Sequence, residues 1–279
     1  MSKISQITPL LFLLASACVP NAFLLEQPKL VSVYFERKID RLEKAKSPDL
    51  DTQRLLMRTK VEYGFGIIME QASRLIDEDY SKAMAKYEQA NKIFLEARDS
   101  GISIMSIKYP SFNKWLNKET SIDFNADDMN DIFWLAASIG GCISSSRGDP
   151  FELINLPNVG RLLRTGIDIN PGGENASFSS AMISFTTTRS DLNEIMLRDS
   201  VDYYFDRAVL YSDGKDAGPY LAYAESIHKP FQERKNFVDK LNYVINMENK
   251  PNNEFELTNL LAKSRAKWLL ARTDEYFLE

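Results

Sequence analysis

Histidine and cysteine are nearly missing from this chain of 279 residues, which has one histidine, His228, and two cysteines, Cys18 and Cys142. One histidine excludes histidine-based metal clusters and leaves a Ser–His triad unsupported. Cys142 lies inside an apolar run, where a free thiol serves as a small buried hydrophobe, so no structural disulfide is expected and the body stands on packing alone. A basic block is missing as well. The net charge is −5, and no Lys/Arg stripe with interleaved aromatics occurs, which argues against nucleic acid as a partner. Alternating apolar/polar runs of strand type are essentially absent. No Gly-Lys-Ser/Thr follows Pro171-Gly172-Gly173, so that segment reads as a helix stop and not a phosphate loop. Asp127, Asp128 and Asp131 lack further spaced oxygen ligands and read as helix-start acids, not a cation site. No pair of residues argues for catalysis, and neither cofactor nor metal is expected.

What is present begins at the first residues. Lys3 is followed by an uncharged stretch with an apolar core from Leu10 to Ala15, then Ser16 and Ala17, then Cys18. Charge, short apolar core and small-residue site in that order form a secretory signal peptide. The core is far short of the ~20 residues that cross a bilayer, so it does not read as a retained transmembrane helix. A cysteine at the cleavage point resembles the lipobox of bacterial lipoproteins, in which that thiol takes up a diacylglyceryl group. Ala15 stands where leucine is usual, and Ala15-Ser16-Ala17 also satisfies ordinary signal cleavage. A simple secreted protein, however, would keep an unpaired terminal thiol, which favours the lipid. The expected division is a signal peptide over residues 1–17 and one helical domain over 18–279.

The remaining periodicity is helical, and the expected class is all-α. Predicted helices run from about Leu30 to Ser47-Pro48, from Leu50 to Ile76 with Gly64 and Gly66 in the middle, and from Tyr80 to Arg98 with a stop at Ser100-Gly101. A short helix is expected at 112–117, and Asn125 with Asp127 and Asp128 opens the next. Further helices are predicted at 158–169, 175–188, 193–212, 218–227, 231–247 and 254–278. Turns fall at Pro171-Gly172-Gly173, Asp213-Gly214, Lys229-Pro230 and Asn249-Lys250-Pro251, with His228 in a turn. Arg147-Gly148-Asp149-Pro150 ends one helix and turns into another.

Two patterns stand out within this helical chain. A small–x3–aromatic–x2–small motif like that of tetratricopeptide repeats is approximated at Ala83/Tyr87/Ala90, Val159/Leu163/Gly166, Val201/Phe205/Ala208 and Phe237/Leu241/Val244, at irregular spacing. Stacked antiparallel helical hairpins in a tetratricopeptide-like superhelix are the expected architecture. The stretch from Ile132 to Ser146 carries no charge and is apolar on nearly all sides, so it is expected to be buried all round. Gly140 and Gly141 cost ~1 kcal/mol each in a helix interior. Close approach of another helix or of a ligand would offset that. The segment is either a central core helix or the wall of an apolar tunnel.

The blocks Ile132–Ala137, Ile143–Ser146, Asp149-Pro150, Asn155–Pro157, Asp168–Pro171, Gly218–Glu225 and Asn259–Leu270, closing on Asp274–Glu279, follow one another in an order that resembles the T-component lipoproteins of tripartite ATP-independent periplasmic (TRAP) transporters. Tyr63-Gly64-Phe65-Gly66 resembles that family's first-half aromatic segment. The resemblance implies a helical homotrimer with tetratricopeptide-like hairpins, an apolar cleft or pore in each subunit, and pairing with the transporter's periplasmic solute-binding receptor. It implies help in handing on a ligand, a hydrophobic small molecule among the options. Leu135 and Ile139 depart from the usual bulkier residues, so ligand identity does not carry over.

The leading reading is therefore a non-enzymatic periplasmic lipoprotein, anchored to the cell envelope through Cys18 and accessory to a TRAP-type transporter. Phe133, Trp134, Ala137, Tyr220 and Tyr223, with Trp268 as a further candidate, are expected to line an apolar cleft. The alternative is a helical-repeat scaffold for envelope protein assembly. Trp134→Ala separates a lining role from a core role: ligand uptake lost with the thermal midpoint retained marks lining, whereas simple melting marks core.

Overall fold

The computed structural model describes residues 28–170, 176–248 and 255–278. The leader, Cys18, the Pro171-Gly172-Gly173 stop and the Asn249-Lys250-Pro251 turn lie outside the described residues. Helices alone make up the regular structure of the described residues. They are α1 Pro28–Glu43, α2 Leu50–Tyr63, α3 Glu70–Leu75, α4 Tyr80–Lys108, α5 Phe112–Leu116, α6 Met129–Ser145, α7 Pro150–Leu153 and α8 Leu156–Ile169. The second half holds α9 Ala176–Thr186, α10 Glu194–Tyr211, α11 Gly218–Tyr223, α12 Arg234–Asn246, α13 Glu256–Ala271 and α14 Thr273–Tyr276. Two π-helical turns, Gly64–Met69 and Ala224–His228, continue α2 into α3 and extend α11.

Local chemistry sets the ends. Ser47 takes a positive φ before Pro48, and Asp49 then caps α2 by accepting from the Thr52 amide at 2.7 Å. Asp79 caps α4 in the same way. Asn125 accepts from the Asp127 amide while Asp128 accepts from the Asn125 amide, a capping box that starts the turn into α6. Asp128 also receives Lys108 Nζ at 2.6 Å and the Tyr109 hydroxyl at 2.7 Å, and Asp131 accepts from Arg54. Two of the three helix-start acids therefore tie α6 to α4 and α2.

One predicted boundary fails. α4 runs through Gly101 to Lys108 instead of stopping near Arg98. Gly101 is buried, and a Cβ there would lie 2.9 Å from Met57 Sδ and 3.0 Å from a Leu135 methyl. The glycine is a point of close helix approach, with a helical conformation no different from its neighbours. The predicted 254–278 helix is likewise two pieces, broken at Arg272.

Helices pack largely in chain order: α1 on α2, α2 on α4, α4 on α6, α6 on α8, α8 on α9, α9 on α10, and α12 on α13. The four repeat-like triplets all point inward. Ala83, Tyr87, Ala90, Val159, Leu163, Gly166, Val201, Ala208, Phe237, Leu241 and Val244 are buried, with Phe205 half-buried. One core gathers Phe112, Trp115, Ile132, Leu135, Leu162 and Phe178, and a second gathers Met57, Ile68, Phe94, Ala97 and Cys142. Burial pushes the Cys142 thiol up to about 12, so it behaves as a small apolar group. A third core joins Phe237, Leu241, Ala266 and Leu269.

α6 is not buried all round, contrary to the expectation from its composition. Ile132, Leu135, Ala136, Ile139, Gly141 and Cys142 are buried, but Phe133, Trp134, Ala137 and Gly140 form a half-open stripe. The two glycines divide accordingly. A Cβ on Gly141 would stand 2.3 Å from the ring of Phe94, whereas one on Gly140 meets nothing within 4 Å. Gly141→Ala should therefore lose about 1–3 kcal/mol through overpacking. Gly140→Ala should be neutral or gain up to ~1 kcal/mol through helix propensity. Urea unfolding of the two variants beside the parent checks both signs.

Candidate functional site

Asn259, fully buried on α13, accepts from the Ala217 amide at 2.8 Å and donates to the Lys215 carbonyl at 2.7 Å. Asp216 accepts from the Gly218 amide at 2.8 Å, and Pro219 then fits the first turn of α11. These contacts fix the start of α11 and with it Tyr220 and Tyr223. Both rings meet Phe205 of α10, with centroids 5.1 and 5.2 Å away. The Tyr223 hydroxyl donates to Asp202 at 2.6 Å, and burial with that carboxylate pushes the phenol well above its ordinary value.

The π-helical turn after α11 ends at His228. It is buried in that turn instead of sitting in an open one, and the chain turns only after it. Its Nδ1 lies 2.6 Å from Glu233, which also pairs with Arg198 at 2.9 Å. Burial nonetheless holds the imidazole below its ordinary value. On α12, Asn236, Asp239, Lys240 and Tyr243 follow the i, i+3, i+4, i+7 spacing of one face. That face, with Tyr220 and His228, lines an open cleft of about 400 Å³. The Lys240 ammonium stands 4.3 Å from the ring centres of Phe205 and of Tyr223, an aromatic environment that attracts a cation. Burial pulls Lys240 below its ordinary value despite Asp202 and Asp206 nearby.

The other predicted residues lie apart from this cleft. Phe133 packs edge-on against Trp134 at 5.2 Å and against Phe178 of α9 at 5.3 Å, and Arg58 stands 5.3 Å over Trp134. Ala137 shares the half-open α6 stripe with them. α9 adjoins both places, since Phe178 meets Phe133 while Ile183 packs in the cluster that holds Tyr223. Trp268 is in neither. Arg265, Arg272 and Arg74 stand over its ring at 4.6, 4.9 and 5.9 Å. Lys240, Asn236, Asp239, Tyr243 and His228 were not singled out as lining residues from sequence. The spacing of α12's polar face is the one signal that points to four of them.

His228 supplies a pH test. The unfolded chain takes up a proton near the ordinary imidazole value of 6.5, whereas the buried ring resists it until lower pH. Its contribution to stability is thus present above 6.5 and is lost as pH falls through the depressed folded value. The parent should lose more stability than His228→Gln between pH 7 and pH 5, as read from urea midpoints.

The TRAP transporter T-component family matches the chain over residues 40–277. A protein of Treponema pallidum (strain Nichols), described as an uncharacterized protein, is 20% identical to it over 240 residues, which cover 80% of this chain and 71% of that protein. The matched span takes in every helix from the end of α1 to α14. With that coverage, the chain belongs to the TRAP transporter T-component family.

Proposed function

We propose that this T-component is a periplasmic lipoprotein, tethered through Cys18, that docks the periplasmic solute-binding receptor of a TRAP transporter as a homotrimer and passes on a ligand with an apolar body. The accessory relation to a TRAP transporter follows from the family, which is that of a transporter component. Among the described residues no helix is long and apolar enough to cross a membrane. An acyl anchor at Cys18 would hold the protein at the envelope through ~0.8 kcal/mol per buried methylene.

The observation that carries the ligand role is the open stripe on α6. Phe133, Trp134, Ala137 and Gly140 leave apolar surface partly exposed at the edge of the cores in the chain's most apolar helix, with open space before Gly140. Such surface is worth ~25 cal/mol per Å² when covered, which favours a ligand or partner that covers it. In this reading the stripe, the α9 side chains beside it, and Tyr220 and Tyr223 beyond are stations on one apolar path. Trp268, held among three arginines, fixes α13 in place. The chain-order stacking and the four buried triplets support a tetratricopeptide-like superhelix over a single domain from residue 18 to 279.

The scaffold reading has one observation in its favour. The cleft beside α12 is open, and His228, Asn236, Asp239 and Lys240 stand among its lining residues as groups that can hydrogen-bond a peptide. Sedimentation velocity of residues 19–279 with a TRAP solute-binding receptor from the same organism separates the two. A stoichiometric complex built on a trimer is expected. A monomeric chain with no complex overturns the transport reading in favour of the scaffold.

A further inference from the structure

Four arginines gather where α8, the turn after α9 and α10 adjoin, and three of them lie over aromatic rings. On α8, Arg161 stands 4.2 Å over Trp115, and Arg164, one turn on, stands 5.9 Å over Phe185. On α10, Arg207 stands 5.3 Å over Tyr203 and 5.0 Å over Tyr211. Burial raises the Tyr204 phenol, and Arg164, Arg189 and Arg207 all lie near enough to oppose it, which places the three together. Tyr203 and, seven residues on, Leu210 carry the patch along α10 as exposed apolar side chains.

On α8, rings stand where acids would be expected. Arg189 has a carboxylate, Asp191, at 2.5 Å. Arg161 has none: its Nη1 is buried without a hydrogen-bond partner, and burial lowers the guanidinium with no charge near enough to oppose it. Arg164 is exposed and likewise has no hydrogen bond or ion pair among the described residues. A ring face holds a guanidinium plane but accepts none of its N–H bonds at full strength. Stacking also pre-orients the planar fork, so that little further freedom is lost when an acid meets its edge.

We propose that this face of α8 and α10 is where the solute-binding receptor docks, with carboxylates of an acidic receptor surface on Arg161 and Arg164 and apolar receptor side chains on Tyr203 and Leu210. The inference rests on the receptor-docking reading and adds the place and the charge of the contact. Charge complementarity selects the partner. In a chain of net charge −5, two arginines without acids beside two further guanidinium groups are a local excess of positive charge. Carboxylates supply the missing acceptors in bidentate, charge-assisted bonds. Arginine and tyrosine are also the residue types that carry most binding energy at protein interfaces. Arg161 lies flat on its ring and partly buried, within reach of a partner's side chain but not of a flat lipid surface.

The test is titration calorimetry of residues 19–279 with a TRAP solute-binding receptor from the same organism, at low and at high salt. Affinity of the unaltered chain should fall as salt rises. At low salt Arg161→Gln and Arg164→Gln should each weaken binding, the first on the order of tenfold, the usual weight of one hydrogen bond to a charged group. Arg161→Lys keeps the charge without the fork and should recover only part of that loss. A complex indifferent to salt, or unchanged in both glutamine variants, overturns the proposal and leaves receptor docking standing at another face. No complex with the unaltered chain overturns both readings together. If Arg164→Gln instead breaks up the trimer in sedimentation velocity, a second copy occupies this face and the proposal falls. Binding to phosphatidylglycerol vesicles that Arg161→Gln abolishes assigns the face to lipid phosphate and overturns it as well. Arg164 is exposed, so its variant and the salt comparison decide the matter if Arg161→Gln fails to fold.

Discussion

The Phe94 ring lies between two glycines, and the arrangement of the first half of the molecule depends on it. A Cβ on Gly64 would stand 2.5 Å from the ring, and one on Gly141 2.3 Å from it, so any other residue at either place collides. α4 is thereby held against the π-helical turn on one side and α6 on the other. The same device recurs further along: Gly160 receives Phe185, and Gly166 receives Phe178. Burying a phenylalanine removes a large apolar surface from water, and removing such a side chain from a core typically costs 3–5 kcal/mol. Ring-into-notch packing also fixes rotation. Once Gly141 faces Phe94, Ala137 and Trp134, one and two turns earlier, come to the same side of α6 and pack at the edge of that core.

A second constraint closes the chain on itself. Arg265 of α13 pairs with Glu225 at 2.7 Å and with Glu70 of α3 at 3.3 Å, Arg74 donates to Ser264, and Arg272 reaches Asp77 at 2.7 Å. Trp268 lies among these guanidinium groups. Half-buried ion clusters of this kind add little net stability over apolar packing, but losing one member leaves its partner unpaired, so they select one geometry. Apolar contact accompanies the charges, since a Cβ on Gly66 would meet a Leu261 methyl at 2.8 Å. The first and last parts of the chain are therefore in register with each other.

Much of the fold was legible in sequence, because amphipathic periodicity and end signals are local. Asp49, Asn125 and the Gly218-Pro219 start all act within four residues of where they stand. Gly101 misled for a physical reason: a glycine near a helix end looks the same whether it terminates the helix or admits Met57 and Leu135. α6 misled similarly, since composition shows that a face is apolar and not whether anything covers it. At the cleft, Tyr220 and Tyr223 were legible from their block, and their shared neighbour Phe205 was not, being about fifteen positions away on another helix. Lys240 and Asn236 carry no signal of their own in the sequence, because nothing local marks an amine that will meet three rings. The π-helical turns break the very periodicity used to find helices, which hid the burial of His228.

The two hydrogen bonds of Asn259 set an order of assembly. Residues 215 to 217 cannot be held at the start of α11 until the side chain 42 positions beyond Ala217 has arrived. During synthesis, α13 becomes available only after α1 to α12. α1 to α10 can gather around their glycine notches while the wall of the cleft is still unpinned. A chain that stopped before Asn259 would keep the larger cores and lack a finished cleft, so α13 is the element that completes this surface.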